Sequence, residues 1–195
     1  SYQLEIDSGF SPIAAAALNL SPDHLARHGT MGVYGQTKSR IFKNMLTEGY
    51  AAVPHSKEQN PSGLLAHGKT KAKHIWLDRL PGMLRHGNTV TLKGTPDDGE
   101  LFLKGMKLFG EHNRDNAAAA ALLCICAGVP RSAIRPEVLS ALPHRLETVH
   151  SSNGVTWIND SKATNVDAAI VGIQSMESPS IVLLGGAAKD GADYT

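Results

Sequence analysis

Apolar and polar positions along the chain fall into two kinds of run. Short runs rich in β-branched, aromatic or alanine residues, bounded by Gly, Pro or Asn, predict strands. Residues 14–20, 51–54, 74–77 and 181–184 read as buried strands. Residues 89–92 and 100–103 alternate and are joined by the Gly- and Asp-rich segment 93–99, which predicts a β-meander. Residues 2–6 also alternate and read as a strand or strand end. Longer runs at helical spacing predict helices. Tyr34, Lys38, Ile41 and Met45 recur on one face of a helix over 33–46. The Ala/Leu-rich run 111–128, ended by Gly128 and then Pro130, is the strongest helix signal. A second helix is expected over 131–142, with Pro136 near its middle or between two short pieces. Ser21, Pro22 and Asp23 read as an N-cap, a first helical proline and an acid, and 56–73 as loop plus a weak helix.

Past Pro143 the pattern starts afresh. Residues 145–150 and 155–158 predict a hairpin around Ser152-Asn153-Gly154. A helix over 166–176 follows, with Val166, Ala169, Ile170 and Ile173 apolar. The alternation of strands and helices gives an α/β fold in two units, with a boundary near 141–143. Between the strand ending at Ile158 and the helix starting at Val166 stand six polar residues in seven: Asn159-Asp160-Ser161-Lys162-Ala163-Thr164-Asn165. The C-terminal end of a strand just ahead of a helix is where open α/β sheets bind ligands. The plainer reading is a capped turn, with Thr164 or Asn165 as N-cap.

Charge narrows the function. Nineteen basic and eighteen acidic residues leave a net +1, too balanced for a general nucleic-acid surface. Cys124 and Cys126 sit two apart in a helical run and point in different directions, so a mutual disulfide is not expected; the setting reads as reduced and cytoplasmic. No apolar run reaches about 18 residues and no signal peptide is visible. The chain opens on Ser1-Tyr2-Gln3 without an initiator Met and closes on Asp193-Tyr194-Thr195, and both ends read as cuts through a longer protein.

Four constellations carry candidate chemistry. Asp23 and His24 suit a divalent cation, with Lys38 one helix further on. An ammonium repels such an ion unless the amine is masked as a carbamate and becomes an oxygen ligand. His24 and His28 stand four apart but lack the Glu of the zinc pattern His-Glu-x-x-His. Asn113 and Asn116 open the Ala-rich helix, where free N–H groups and amide side chains suit an adenine. Arg145 in the Pro-fixed inter-unit segment suits a phosphate. Leu184-Gly185-Gly186 with Lys189 suits a carboxylate or phosphate, though no Gly-x-x-x-x-Gly-Lys-Ser/Thr loop occurs.

The order of these segments is more telling than any one of them. Ser-Tyr-Gln-Leu-Glu at 1–5, Leu-Asn-x-Ser-x-Asp-His at 18–24, Tyr-x-x-x-Lys-x-Arg-Ile-Phe at 34–42, Gly-x-His-Asn-x-x-Asn-x-x-Ala-Ala at 110–120, Leu-Pro-His-Arg-x-Glu at 142–147, Asn-Asp-Ser-Lys-Ala-Thr-Asn at 159–165 and Leu-Gly-Gly with a following Lys at 184–189 together resemble the Mur ligases, specifically their D-glutamate-adding branch. The resemblance covers nearly the whole chain. It implies the later part of a central ATPase domain (1–141) followed by the start of a Rossmann-like C-terminal domain (142–195). It implies ATP-dependent amide formation in peptidoglycan precursor synthesis, through an acyl phosphate, on the small molecules UDP-N-acetylmuramoyl-L-alanine and D-glutamate, by a cytoplasmic monomer. Carried over by position, His24 and Lys38 resemble Mg²⁺ ligands, Lys38 as a carbamate, with Asp23 beside the reacting groups. Asn113, Asn116, Arg145 and Asp160 match ATP contacts; Lys162, Thr164 and Lys189 match the D-glutamate site. Ala187-Ala188 departs from the acidic residue that can follow Gly-Gly in relatives. Two alternatives stand beside this: an inactive nucleotide-binding fragment, and a ligase of the folate-polyglutamate type.

Overall fold

The computed structural model describes residues 2–6, 9–57, 59–60, 63, 70–106, 108, 110–140 and 142–186. Lys189 and most of the weak helix expected within 56–73 lie outside these residues. A six-stranded sheet runs in sequence order: β1 (Ala14–Ala16), β2 (Tyr50–Val53), β3 (Lys73–Trp76), β4 (Gly82–His86), β5 (Thr89–Lys93) and β6 (Gly99–Phe102). The first four strands are parallel and the last two return as an antiparallel meander. β7 (Glu147–Ser152) and β8 (Val155–Asn159) form a separate antiparallel hairpin.

Strand β2 lies between β1 and β3, and all four of its residues are buried. Because side chains alternate across a strand, Tyr50 and Ala52 face one cluster and Ala51 and Val53 the other. The first cluster is roofed by α4 (Glu111–Cys126), whose Ala117, Ala118, Ala121, Leu122 and Ile125 recur at helical spacing. Small alanines let the helix backbone approach the sheet closely, while Leu122 and Ile125 fill the space between. The other face is covered by α3 (Met31–Ser39) and the single 3₁₀ turn Arg40–Phe42, with Phe42 fully buried.

Helix ends are set by local chemistry. Thr30 Oγ1 accepts from Val33 N at 3.2 Å and starts α3 at Met31, ahead of the Val33 that the apolar pattern suggested. Helix α4 ends in a Schellman motif: Val129 N donates to Cys124 O at 3.0 Å and Gly128 N to Ile125 O at 2.9 Å, with Gly128 at φ 95°.

Several expectations are corrected. Residues 2–6 form a short helix, α1 (Tyr2–Ile6), not a strand. Its last carbonyls, on Leu4 and Glu5, accept from Arg40 Nη1 at 3.3 and 3.0 Å, satisfying the groups a helix end leaves open. The strand expected over 14–20 stops at Ala16. The helix signalled by Ser21-Pro22 begins only at Leu25, as α2 (Leu25–His28), because His24 takes a left-handed conformation at φ 55° just before it. Of the two readings of 131–142, one helix with Pro136 near its middle or two short pieces, the second holds, though both pieces are 3₁₀ turns, Arg131–Ala133 and Pro136–Val138, since Pro136 forces Arg135 before it out of the helical region. Residues 181–184 form no strand. Ile181 and Leu183 are 96% and 87% exposed, and among the described residues nothing pairs with them. Strand β4 has no forecast in the sequence. It pairs with β3 through Gly82, whose hypothetical Cβ would lie 2.1 Å from Trp76 O.

Candidate functional site

The C-terminal ends of β1 and β3 open on one side of the sheet. The chain beyond β1 supplies Leu18, Asn19 and Ser21, and that beyond β3 supplies Leu77 and Asp78. With the start of α4 they form one wall of a cleft of about 540 Å³. The opposite wall comes from beyond residue 142: Arg145, Asp160, Lys162 and Asn165, backed by α5 (Val166–Gln174). This is the strand-end crevice that open α/β sheets offer to ligands.

On the first wall, the α4 end is held by Arg85 of β4. Its Nε donates to Asp115 Oδ1 at 2.6 Å and its Nη1 to Glu111 Oε2 at 2.9 Å. Burial works against the Arg85 charge, but the two carboxylates outweigh it and hold its pKa above the ordinary range. His112, half-buried at the same end, is pushed below the usual imidazole range by burial and then by the nearby Arg145 cation, with Asp160 and Asp115 pulling the other way. Asn116 lines the cleft, whereas Asn113, three residues earlier on α4, is buried at 7% exposure and does not.

The second wall is organised around Asp160. Its Oδ1 accepts from Leu146 N at 3.1 Å, and Leu146 is buried at a left-handed φ of 47°. Oδ2 points at Gly172 of α5, where a Cβ would sit only 2.5 Å away. Lys162 N donates to His144 O at 2.9 Å, which fixes the backbone of the polar loop while leaving the Lys162 side chain to the cleft. Asn165 caps α5, its Oδ1 accepting from Ala168 N at 2.8 Å. Thr164 is exposed and outside the lining.

Asp23, His24 and Lys38 stand at the rim rather than in the lining. They meet around Tyr34. The His24 and Tyr34 ring centres are 6.4 Å apart, and Lys38 Nζ lies 4.9 Å from the Tyr34 ring centre. His24 Nε2 is 3.3 Å from Asp23 Oδ2, and His24 Nδ1 is 3.0 Å from the Tyr2 hydroxyl. Lys38 Nζ donates to Asn19 O at 2.8 Å, which ties the cluster to the cleft wall. Burial lowers the Lys38 pKa, with the Asp23 charge opposing. A neutral amine is what carbamate formation requires. Among the described residues no three His, Cys, Asp or Glu side chains group as a ready metal site. Asp23 and His24 provide a carboxylate and an imidazole, and a carbamate on Lys38 would add a third, anionic donor of the hard type a divalent ion prefers.

Part of the polar loop singled out in the sequence lines the cleft, and Asp23, His24 and Lys38 gather at its rim. Arg85, Asp78 and the Tyr2 hydroxyl had no signal in the sequence, because each is held by a partner far along the chain.

A sheet of this order with a cleft at its strand ends defines an open-sheet α/β fold. The Mur ligase middle domain model matches residues 2–124, and the chain belongs to the Mur ligase family. Over its whole length it is 36% identical to proteins named UDP-N-acetylmuramoylalanine--D-glutamate ligase from Lachnospira eligens, Koribacter versatilis and Legionella pneumophila. The chain spans 44% of the length of each of these relatives. Among solved structures, MurF from Acinetobacter baumannii shares the fold with a TM-score of 0.64 at 19% identity, covering 84% of this chain and 37% of that one. The murein peptide ligase from Psychrobacter arcticus does so at 0.55 and 16% identity, covering 85% and 35%. No helix among the described residues is long and apolar enough to cross a membrane.

Proposed function

We propose that this chain carries part of the machinery of an ATP-dependent amide ligase that joins D-glutamate to UDP-N-acetylmuramoyl-L-alanine in peptidoglycan precursor synthesis. The observation that carries the reading is the two-walled cleft, with Arg145, Asp160 and Lys162 facing the start of α4 and the Asp23-His24-Lys38 cluster at its rim. The name shared by the 36%-identical relatives supplies the substrates. Residues 1–141 are assigned to a central ATP-binding domain and 142–195 to the first part of a C-terminal ligase domain.

In the first step an oxygen of the L-alanine carboxylate attacks the γ-phosphorus of ATP. The bond to the β–γ bridging oxygen breaks, giving an acyl phosphate and ADP. In the second, the D-glutamate amine attacks the acyl carbon, phosphate leaves, and the amine's extra proton passes to solvent or a base. His24 and a carbamate on Lys38 would hold Mg²⁺, which would supply charge neutralisation between the carboxylate and the triphosphate. Asp23 orients the His24 imidazole through the 3.3 Å contact. Asn116, with Asn113 behind it, is assigned to the adenine, and Arg145 and Asp160 to the rest of the nucleotide. A guanidinium suits phosphate oxygens, and the wall position of Arg145 puts it across from α4. Lys162, with Thr164 and Lys189, is assigned to the D-glutamate carboxylates. A cleft closed on both sides limits water, which would otherwise hydrolyse the acyl phosphate.

The test uses the full-length parent protein with ATP, UDP-N-acetylmuramoyl-L-alanine and D-glutamate. Expected are ADP, phosphate and a product heavier by one glutamyl residue; ATP turnover with no coupled product, or glutamate addition to a folate instead, overturns the reading. Lys38→Ala should lower kcat by at least 10²-fold, in the range seen for loss of key electrostatic groups, with an unchanged circular dichroism spectrum. Labelling with ¹³C-bicarbonate should give a carbamate carbon resonance that this variant lacks. Unchanged turnover in the variant would remove Lys38 from the site.

A further inference from the structure

The first turn of α4 has no cap of its own: Gly110 precedes it and supplies no side-chain cap. What holds it is Arg85 of the neighbouring strand β4, whose side chain is only 12% exposed. Its Nε donates to Asp115 Oδ1 at 2.6 Å, and its Nη1 to Glu111 Oε2 at 2.9 Å and to Gly87 O at 2.7 Å. Glu111 and Asp115 stand four apart on one helix face, so a single side chain grips a whole turn. Arg114 adds a second grip. Its Nε donates to Asn88 Oδ1 at 3.1 Å, and the Asn88 carbonyl is itself held by Leu103 N at 2.8 Å. The core does little to key the helix about its axis here. The nearest buried apolar positions, Ala117, Ala118, Ala119 and Ala121, are all short. The first long one, Leu122, comes about two turns after Asp115.

Asn116 follows Asp115 directly. It is exposed and lines the cleft, and among the described residues no hydrogen bond orients its amide. Its aim is then set by where the α4 backbone places it, roughly 100° around the axis from the pinned Asp115. We propose that Arg85 is a positioning residue for base selectivity, turning α4 so that the Asn116 amide meets the edge of a 6-aminopurine. An amide sets an acceptor beside a donor, the complement of a 6-amino group and N7. A 6-keto purine presents two acceptors there, so one of them faces the amide oxygen whichever way the amide turns. The planar guanidinium matters as well as its charge. A lysine ammonium is a point charge on a flexible stem and would hold neither carboxylate at a fixed angle. The inference rests on the assignment of Asn116 to adenine in the ligase reading, and adds which residue makes that contact selective.

The experiment measures ATP and ITP affinities of the full-length parent by calorimetry. ITP carries a 6-keto group where ATP carries the 6-amino. The parent should bind ATP more tightly. Arg85→Lys should weaken ATP by about five-fold, the usual worth of one hydrogen bond, and leave ITP within about two-fold. Glu111→Ala should move the ratio in the same direction. Glu111 is exposed and outside the cleft lining, so this variant loosens the grip without touching ligand or core. In an Asn116→Ala background, Arg85→Lys should change ATP affinity by less than about two-fold, because residues that act through one another do not add. Should Arg85→Lys not fold, the same cycle is run with Glu111→Ala. Equal losses for ATP and ITP, or an effect that survives undiminished without Asn116, would mean that Arg85 does not act through Asn116 and would overturn the inference. Unchanged affinities in both Arg85→Lys and Glu111→Ala would overturn it too. A parent with no preference for ATP would take the adenine assignment down with it. A parent that prefers ATP, responds to these variants and yet forms no amide would remove the ligase reading and support this inference.

Discussion

His112 shows how one side chain can report on the cleft. Burial and Arg145 hold its folded pKa below the ordinary value of about 6.5. As pH falls through that window, the unfolded chain takes up the proton before the native state does. Stability is then lost between about 6.5 and the folded pKa, and the loss persists below it. His112→Asn removes this component. Denaturant midpoints of the variant should fall less between pH 7 and pH 5 than those of the unmodified chain. Parallel curves would mean that His112 is as solvated as in the unfolded state. The residue scale is also where sequence reading was weakest. Asn113 and Asn116 share a helix face by spacing, yet Asn113 turns out buried and only Asn116 reaches the cleft. A helical period fixes the direction of a side chain around the axis but not where the sheet will cover it.

At the scale of elements, two glycines separate backbone strain from steric exclusion. Gly128 has φ 95° and open space around its missing Cβ. Gly128→Ala should therefore cost about 1–2 kcal/mol, the left-handed penalty alone. Gly82 sits at φ 130° against the Trp76 backbone, 2.1 Å from its carbonyl oxygen. Gly82→Ala must push β3 and β4 apart and should cost more than Gly128→Ala in the same urea titration. Similar losses in both would show that β4 is free to move. Helix α4, the meander and the 147–159 hairpin were legible because their signals are local: alanines and a terminal Gly, alternating runs, an Asn-Gly turn. Helix α1 and strand β4 were not. The first depends on Arg40, 35 residues away from Glu5, and the second on a glycine fitting against Trp76.

For the whole molecule, the division of labour between the walls makes a distinct expectation. In the full-length parent, Lys162→Ala should raise the KM for D-glutamate by roughly ten-fold or more, the loss of a charge-assisted hydrogen bond worth about 1.5–3 kcal/mol, while ATP affinity stays within about two-fold. Equal effects on both substrates would place Lys162 on the nucleotide instead. Cross-wall contacts such as that between Asp23 and Asn165, 142 residues apart, are invisible to any reading of local pattern. The resemblance brought the two segments into one argument, and only the fold brought the two side chains together.

Gly172 carries a warning for protein engineers. Swapping an interior helical glycine for alanine is a standard route to a sturdier protein, gaining up to about 1 kcal/mol. Here the added methyl would land 2.5 Å from Asp160 Oδ2 and evict that carboxylate from its niche beside Leu146. A thermostability screen that accepted Gly172→Ala would be rewarding a firmer α5 at the expense of the wall that faces the ligand.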